Sequence, residues 1–160
     1  MSYENNVLTQ LSKLQSKFHD KICLDIGTRD GLNCISLVKL GAKKVIGIDI
    51  DSSSFYKMPL NDKVELIKTD LLDYNNEDKF DIITCFLWNI SFLERNKVVD
   101  KIKELLKPNG FVLIGIHDDV YKYDKYVSVV DLIKNNFSDT WILDKNDSFQ
   151  WIIMAQGFKN

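Results

Sequence analysis

The sequence is poor in the residues that build metal centres and disulfide frameworks. Its 160 residues include two histidines and three cysteines. Cys23, Cys34 and Cys85 are odd in number, far apart and set in apolar stretches, with no CxxC pair. That pattern argues against both a disulfide scaffold and a structural zinc site, and it marks the three as buried thiols. No apolar run reaches the roughly 18–20 residues that span a bilayer. The first residues, MSYENNVLTQLSKLQSKFHDK, are polar and carry no apolar signal core, so a cytoplasmic location with no membrane partner is expected. A basic excess is also missing. Lys and Arg total 21 against 23 Asp and Glu, for a net charge of −2, so nucleic acid is not favoured as the partner. Arginine occurs only as Arg29 and Arg95. The two prolines, Pro59 and Pro108, sit at apparent connections, and no repeat, low-complexity tract or linker interrupts the chain. One domain over residues 1–160 is the expectation.

What is present alternates between two periods. Val7, Leu11, Leu14 and Phe18 fall on one helical face, which predicts an N-terminal helix over 7–18. Short apolar runs predict strands over 21–26, 44–50, 64–69, 80–87 and 111–116, the fourth nearly all apolar and therefore central. Helices are predicted over 32–40, with Gly41 as its stop, over 94–106, stopped by Lys107-Pro108-Asn109-Gly110, and over 125–136. Two further strands, 140–143 and 150–156, flank the polar turn DKNDS and predict a C-terminal antiparallel hairpin. The fold expected is α/β: a doubly wound, mostly parallel seven-stranded sheet with helices on both faces, ended by that hairpin, its core spanning 20–157.

In such sheets ligands bind beyond the carboxyl ends of the strands. After the first strand comes Asp25-Ile26-Gly27-Thr28-Arg29-Asp30-Gly31, where two glycines bracket a turn into a helix. Such a turn lets the backbone approach an anionic ligand, although any strand-to-helix turn can hold two glycines. After the second strand, Asp49 lies 18 residues past Gly31, a spacing suited to a carboxylate that accepts two ribose hydroxyls. A solvated loop acid is the plainer reading. After the third strand, Asp70-Leu71 offers an acceptor and a backbone donor to a purine edge, and Asp70 reads equally as a helix N-cap.

Together these segments resemble the class I S-adenosylmethionine-dependent methyltransferases. ICLDIGTRDG resembles the family's first motif, GAKKVIGIDID its second, VELIKTDL its third, KFDIITCFLWNI its fourth strand, and KIKELLKPNGFVLIGI its helix, turn and fifth strand. The terminal hairpin also matches, and it separates this family from nicotinamide dehydrogenases. The resemblance implies S-adenosylmethionine as cofactor, bound by Asp25, Gly27, Thr28, Arg29, Asp30, Gly31, Asp49, Ile50, Asp70, Leu71 and Phe86. Asp25 would meet the methionine amino group and Asp49 the ribose. One position departs from the pattern: Arg29 stands where the loop has its middle glycine. Its side chain must turn outward, or it binds the ligand's carboxylate or a substrate acid.

Methyl transfer from a sulfonium needs alignment and water exclusion, and a base only where the acceptor must lose a proton. His117, beside Asp118 and Asp119 after the fifth strand, is the base candidate, with a polar surface turn as its plainer reading. Trp88 and Asn89, after the fourth strand, are the acceptor-side candidates, and Trp88 reads as well as a rim residue. Tyr121, Tyr123 and Tyr126 line a pocket or pack a loop. His19 reads as a surface residue. No metal site is expected. The chain is short for the family, which fits a small-molecule acceptor, a protein acceptor, or a site completed by a homo-oligomer or a partner subunit. Rival readings are a non-catalytic methyltransferase-like binding subunit and an aminopropyltransferase using decarboxylated S-adenosylmethionine.

Overall fold

A computed structural model describes residues 11–86, 94–117, 129–145 and 150–159. Trp88, Asn89, the acids Asp118 and Asp119, the three tyrosines from Tyr121 to Tyr126, and the part of the N-terminal helix before Leu11 lie outside the described residues. The chain packs as two compact units, the first ending at Tyr74 and the second beginning at Asn75.

The first unit opens on a 3-10 turn, Ser12–Leu14, running into α1, Gln15–Phe18. Leu11 and Phe18 are fully buried, so the apolar face expected of this helix is the face that packs. Then follow β1 (Ile22–Ile26), α2 (Leu32–Lys39), β2 (Lys44–Asp49) and β3 (Val64–Lys68). A 3-10 turn at Phe55–Lys57, absent from the sequence expectation, bridges β2 to β3. β1 pairs with β2 and β2 with β3, both parallel. Along β1 and β2 nearly every residue is buried, whereas β3 is only half-buried, as expected of a strand paired on one side.

The second unit holds β4 (Phe80–Cys85), α3 (Arg95–Leu105), β5 (Leu106–His117), α4 (Val129–Asn136), β6 (Phe137–Lys145) and β7 (Gln150–Phe158). β4 runs parallel to β5, β5 antiparallel to β7, and β7 antiparallel to β6. The terminal hairpin is thus present, and longer than its apolar runs suggested: Asp144 and Lys145, expected in the turn, pair with Ile152 and Trp151. β4 is almost wholly buried, in keeping with its unbroken apolar run. On α3, Val98, Val99, Ile102 and Leu105 are buried, one stripe of an otherwise charged helix.

The Lys107–Gly110 stop behaves differently from a simple turn. β5 already begins at Leu106, opposite Phe80, and the next pair is Ile82 with Phe111. Four residues of β5 therefore stand against Asp81 alone, so the Pro-Asn-Gly segment is looped out within the strand. This is how Pro108 escapes the ladder it cannot join. Lys107 Nζ clasps Asp81 Oδ1 at 2.9 Å across the irregularity. Gly110 is required there, because a Cβ at that position would lie 2.7 Å from the Asp81 carbonyl oxygen. Gly110→Ala should destabilise the protein by about 1–3 kcal/mol, since a backbone atom must move to admit the methyl. Urea unfolding checks this, and a midpoint equal to wild type would contradict the packing described.

Candidate cofactor site

Parallel register sets the site. Ile26 pairs with Ile48, and Asp49 with Lys68, so the carboxyl ends of β1, β2 and β3 come level. The ladder continues past the strands: Gly27 and Thr28 both donate their N–H to the Ile48 carbonyl, at 2.9 and 3.1 Å, and Thr69 N–H donates to the Asp49 carbonyl at 2.9 Å. The Gly27–Gly31 loop, Asp49 and Asp70 are thereby gathered on one edge of the first unit.

The loop owes its path to three left-handed residues in alternation, Gly27 (φ 71°), Arg29 (φ 56°) and Gly31 (φ 76°). A Cβ on Gly27 would meet nothing within 4 Å, so that glycine is needed for its φ alone and leaves open space in front of the turn. Arg29 holds the middle left-handed position, at a cost of about 1–2 kcal/mol for a residue with a Cβ. Its side chain turns outward, 74% exposed, with a loose ion pair from Nη2 to Asp30 Oδ2 at 3.7 Å. Its backbone N–H donates to Asp49 Oδ2 at 2.8 Å. Asp30 Oδ1 accepts the Leu32 N–H at 3.3 Å, just before α2, whose N-cap is Gly31.

Asp49 is held on both sides, Oδ2 by Arg29 and Oδ1 by the Asp51 N–H at 3.0 Å. Each oxygen keeps a further lone pair for an incoming hydroxyl. Next to it, Ile50 leaves 69% of its surface exposed, an apolar face at the mouth of a polar site. Asp70 Oδ1 accepts the Leu72 N–H at 2.8 Å in the turn that follows β3, and no helix starts there, so Asp70 closes a turn and caps no helix. Leu71 is buried, and among the described residues its N–H meets no protein acceptor.

Beneath the loop lies a buried polar chain. Thr28 Oγ1 and Cys34 Sγ share a hydrogen bond at 3.1 Å, and the Cys34 thiol donates to Asp25 Oδ2 at 3.8 Å. Thr28, Cys34 and Asp25 are all almost fully buried. Gly47 makes room for this packing: a Cβ there would sit 2.7 Å from Cys34 Sγ and 2.8 Å from Thr28 Oγ1. Apolar context identified Cys34 as buried but could not identify it as the partner of Asp25. The signal was its place in the first turn of the helix that follows the loop. Burial pushes the Cys34 thiol well above its ordinary value, and the Asp25 carboxylate adds to the shift.

In the second unit, Phe86 follows β4 and is buried, and Gly115 of β5 admits it closely, since a Cβ there would be 3.0 Å from Phe86 Cα. Position 117, the base candidate, ends β5 opposite Gln150. His19 is exposed, 3.6 Å from the Asp20 carboxylate, as expected of a surface residue. Among the described residues no helix is long and apolar enough to cross a membrane.

A family model for a methyltransferase domain matches residues 23–110. Among curated proteins, the ribosomal protein L11 methyltransferase of Fusobacterium nucleatum is 38% identical over 115 residues, which cover 66% of this chain and 36% of that protein. The chain thus spans about a third of the length of that relative. A ribosomal protein L11 methylase from Lactobacillus delbrueckii subsp. bulgaricus shares the fold, with a TM-score of 0.64 and 23% identity over 100% of this chain and 81% of that one. So does a Thermus thermophilus 16S rRNA methyltransferase solved with AdoMet and guanosine, with a TM-score of 0.70 and 16% identity over 98% of this chain and 43% of that one. The chain belongs to the class I S-adenosylmethionine-dependent methyltransferases. Its fold is the family's mixed seven-stranded, Rossmann-like one, ended by antiparallel strands.

The three thiols offer a check on the buried chain. In the native protein at pH 8 none should react readily with a disulfide reagent, and three should titrate after unfolding. A thiol whose pKa is raised by folding holds its full stabilising effect below the unfolded value of about 8.5 and loses it as pH climbs toward the folded value. Stability should therefore decline above about pH 8.5, and less steeply in Cys34→Ser, because serine does not ionise there. Rapid native labelling of Cys34 would contradict its burial.

Proposed function

We propose that the chain is a single methyltransferase-like domain that transfers a methyl group from S-adenosylmethionine to a protein acceptor of the kind its relatives' names state, ribosomal protein L11. The observation that carries the reading is the level arrangement of the left-handed loop, the twice-anchored Asp49 carboxylate and the Leu71 N–H, which meets no acceptor among the described residues. The set matches the donor piece by piece. Asp49 accepts the two ribose hydroxyls. Ile50 covers one face of the adenine, Asp70 Oδ2 accepts from its amino group, and Leu71 N–H donates to a ring nitrogen. Asp25, braced by Cys34, faces the methionine amino group, and Gly27 leaves space for the ligand to approach the turn.

When bound, S-adenosylmethionine supplies a methyl group on a positively charged sulfur, and that charge provides most of the driving force. The residues of the chain contribute alignment of donor with acceptor and exclusion of water. His117 takes the proton that an amine acceptor must lose. The acceptor-side roles expected of Trp88 and Asn89 fall on residues outside those described.

Incubation with ribosomal protein L11 and methyl-labelled S-adenosylmethionine tests the acceptor, and label in the protein fraction is the expected result. Absence of label with L11, from a preparation that binds the donor, would sink the acceptor assignment and leave the donor site standing. Asp49→Ala should weaken S-adenosylhomocysteine binding by about 1–3 kcal/mol, because ribose hydroxyls lose their acceptor. Unchanged affinity in the folded variant would remove Asp49 from the site.

A further inference from the structure

Charge is segregated along the strands of the first unit. Lys21 precedes β1, Lys43 and Lys44 open β2, and Lys63 precedes β3. Register brings them level, since Ile22 pairs with Lys44 and Val45 with Val64. The Lys43 N–H donates to the Lys21 carbonyl at 2.8 Å, and the Val45 N–H donates to the Lys63 carbonyl at 2.8 Å. Lys39 ends α2 close by, because the Gly41 carbonyl just after it accepts the Asp20 N–H at 3.1 Å. All five of these lysines are exposed. The carboxylates on this edge are Asp20, Asp62 and Glu65, of which Glu65 is held by Lys44 at 2.9 Å and Asp20 lies 3.6 Å from His19. At the other end of the same strands the acids Asp30, Asp49, Asp51 and Asp70 outnumber Arg29 and Lys68. The balanced composition therefore conceals a cationic amino edge and an acidic carboxyl edge, separated by the roughly 15 Å that a five-residue strand spans.

The make-up of the amino edge limits what it can hold. An ammonium group is a compact point charge on a flexible stem, and it meets a phosphate from many directions without a fixed fork. Each phosphate so neutralised releases condensed counterions, which favours binding whatever the base sequence. A protein partner would instead need aromatic or aliphatic anchors at the centre of the contact. Of the large apolar side chains exposed among the described residues, Leu60 alone lies near these strand starts, shortly before Lys63. Tyr56 belongs to the other edge, where its neighbour Met58 packs so close that a Cβ on Gly31 would lie 2.8 Å from Met58 Sδ. The amino edge therefore offers charge without an anchor cluster, and it offers bases no stacking platform. We propose that this lysine edge docks the phosphate backbone of a nucleic acid without reading its sequence. The proposal goes beyond methyl transfer, because the contact lies at the end of the strands away from the cofactor loop. Overall charge balance, which disfavours nucleic acid as a partner of the whole chain, does not describe this one edge.

The test is fluorescence anisotropy of a labelled RNA duplex, titrated with the full chain over a range of salt concentrations. A DNA duplex of the same sequence and a polyglutamate peptide serve as the comparison ligands. The wild type should bind both duplexes, and the logarithm of its affinity should fall with the logarithm of salt at a slope of about −3 or steeper. The triple variant Lys21→Gln, Lys43→Gln, Lys63→Gln leaves the Lys44–Glu65 pair in place and removes only exposed charges, so it should fold as wild type does. At low salt it should bind the duplexes about tenfold or more weakly, with the slope reduced by about three. A control variant, Lys97→Gln with Lys134→Gln, removes exposed lysines of the second unit and should bind as wild type does. Equal losses in the triple and control variants would overturn the proposal, because attraction would then belong to no one surface. Failure of the folded wild type to bind either duplex at low salt would overturn it as well. So would tighter binding of polyglutamate than of the duplexes, which points to an acidic protein on the same edge.

Discussion

Three backbone N–H groups pin the turn between β1 and α2 onto the end of β2, two on the Ile48 carbonyl and one on the Asp49 carboxylate. Everything else in the site depends on that anchoring. It fixes the direction in which α2 leaves the sheet. It also orients Asp49 before any ligand arrives and holds the loop open in front of Gly27. Preorganisation of this kind lowers the ordering cost of binding, because the carboxylate has already lost its freedom. The parallel register then brings the end of β3 level with the other two strands. The Asp49 carboxylate and the Leu71 N–H thus stand beside one loop without any long insertion.

Much of this was legible in the sequence because it depends on short-range rules. Glycines at 27 and 31 announced positive φ. An acid at the end of the second apolar run announced a strand-end carboxylate, and the two closing strands announced a hairpin. What stayed hidden depends on contacts that periodicity does not encode. Cys34 read only as a buried thiol, since nothing in its spacing reveals that it reaches back to Asp25. Gly47 read as one more strand residue, although its missing Cβ is what admits Cys34 and Thr28. Lys107–Gly110 read as a turn outside the sheet, whereas the register shows it looped out within β5. The sequence could locate the chain break that Pro108 imposes but not the strand residue, Leu106, that precedes it.

Arg29 illustrates how a departure from a pattern becomes informative once backbone geometry is known. From the sequence, an arginine in place of a glycine raised two readings, a side chain turned outward or one that binds an acid of the ligand or substrate. In the structure the loop is undamaged: position 29 keeps the left-handed conformation, and its N–H serves Asp49. The loop thus tolerates the substitution at a modest energetic cost, and the side chain stands clear of the turn.

The central claim is that the carboxyl ends of β1, β2 and β3 form the binding surface for an adenosyl ligand. Amide chemical-shift mapping on the labelled chain during titration with S-adenosylhomocysteine tests it most directly. The account predicts saturable shifts centred on the amides of Gly27, Arg29, Ile50 and Leu71. Shifts centred elsewhere in a folded protein, or none at millimolar ligand, would contradict it.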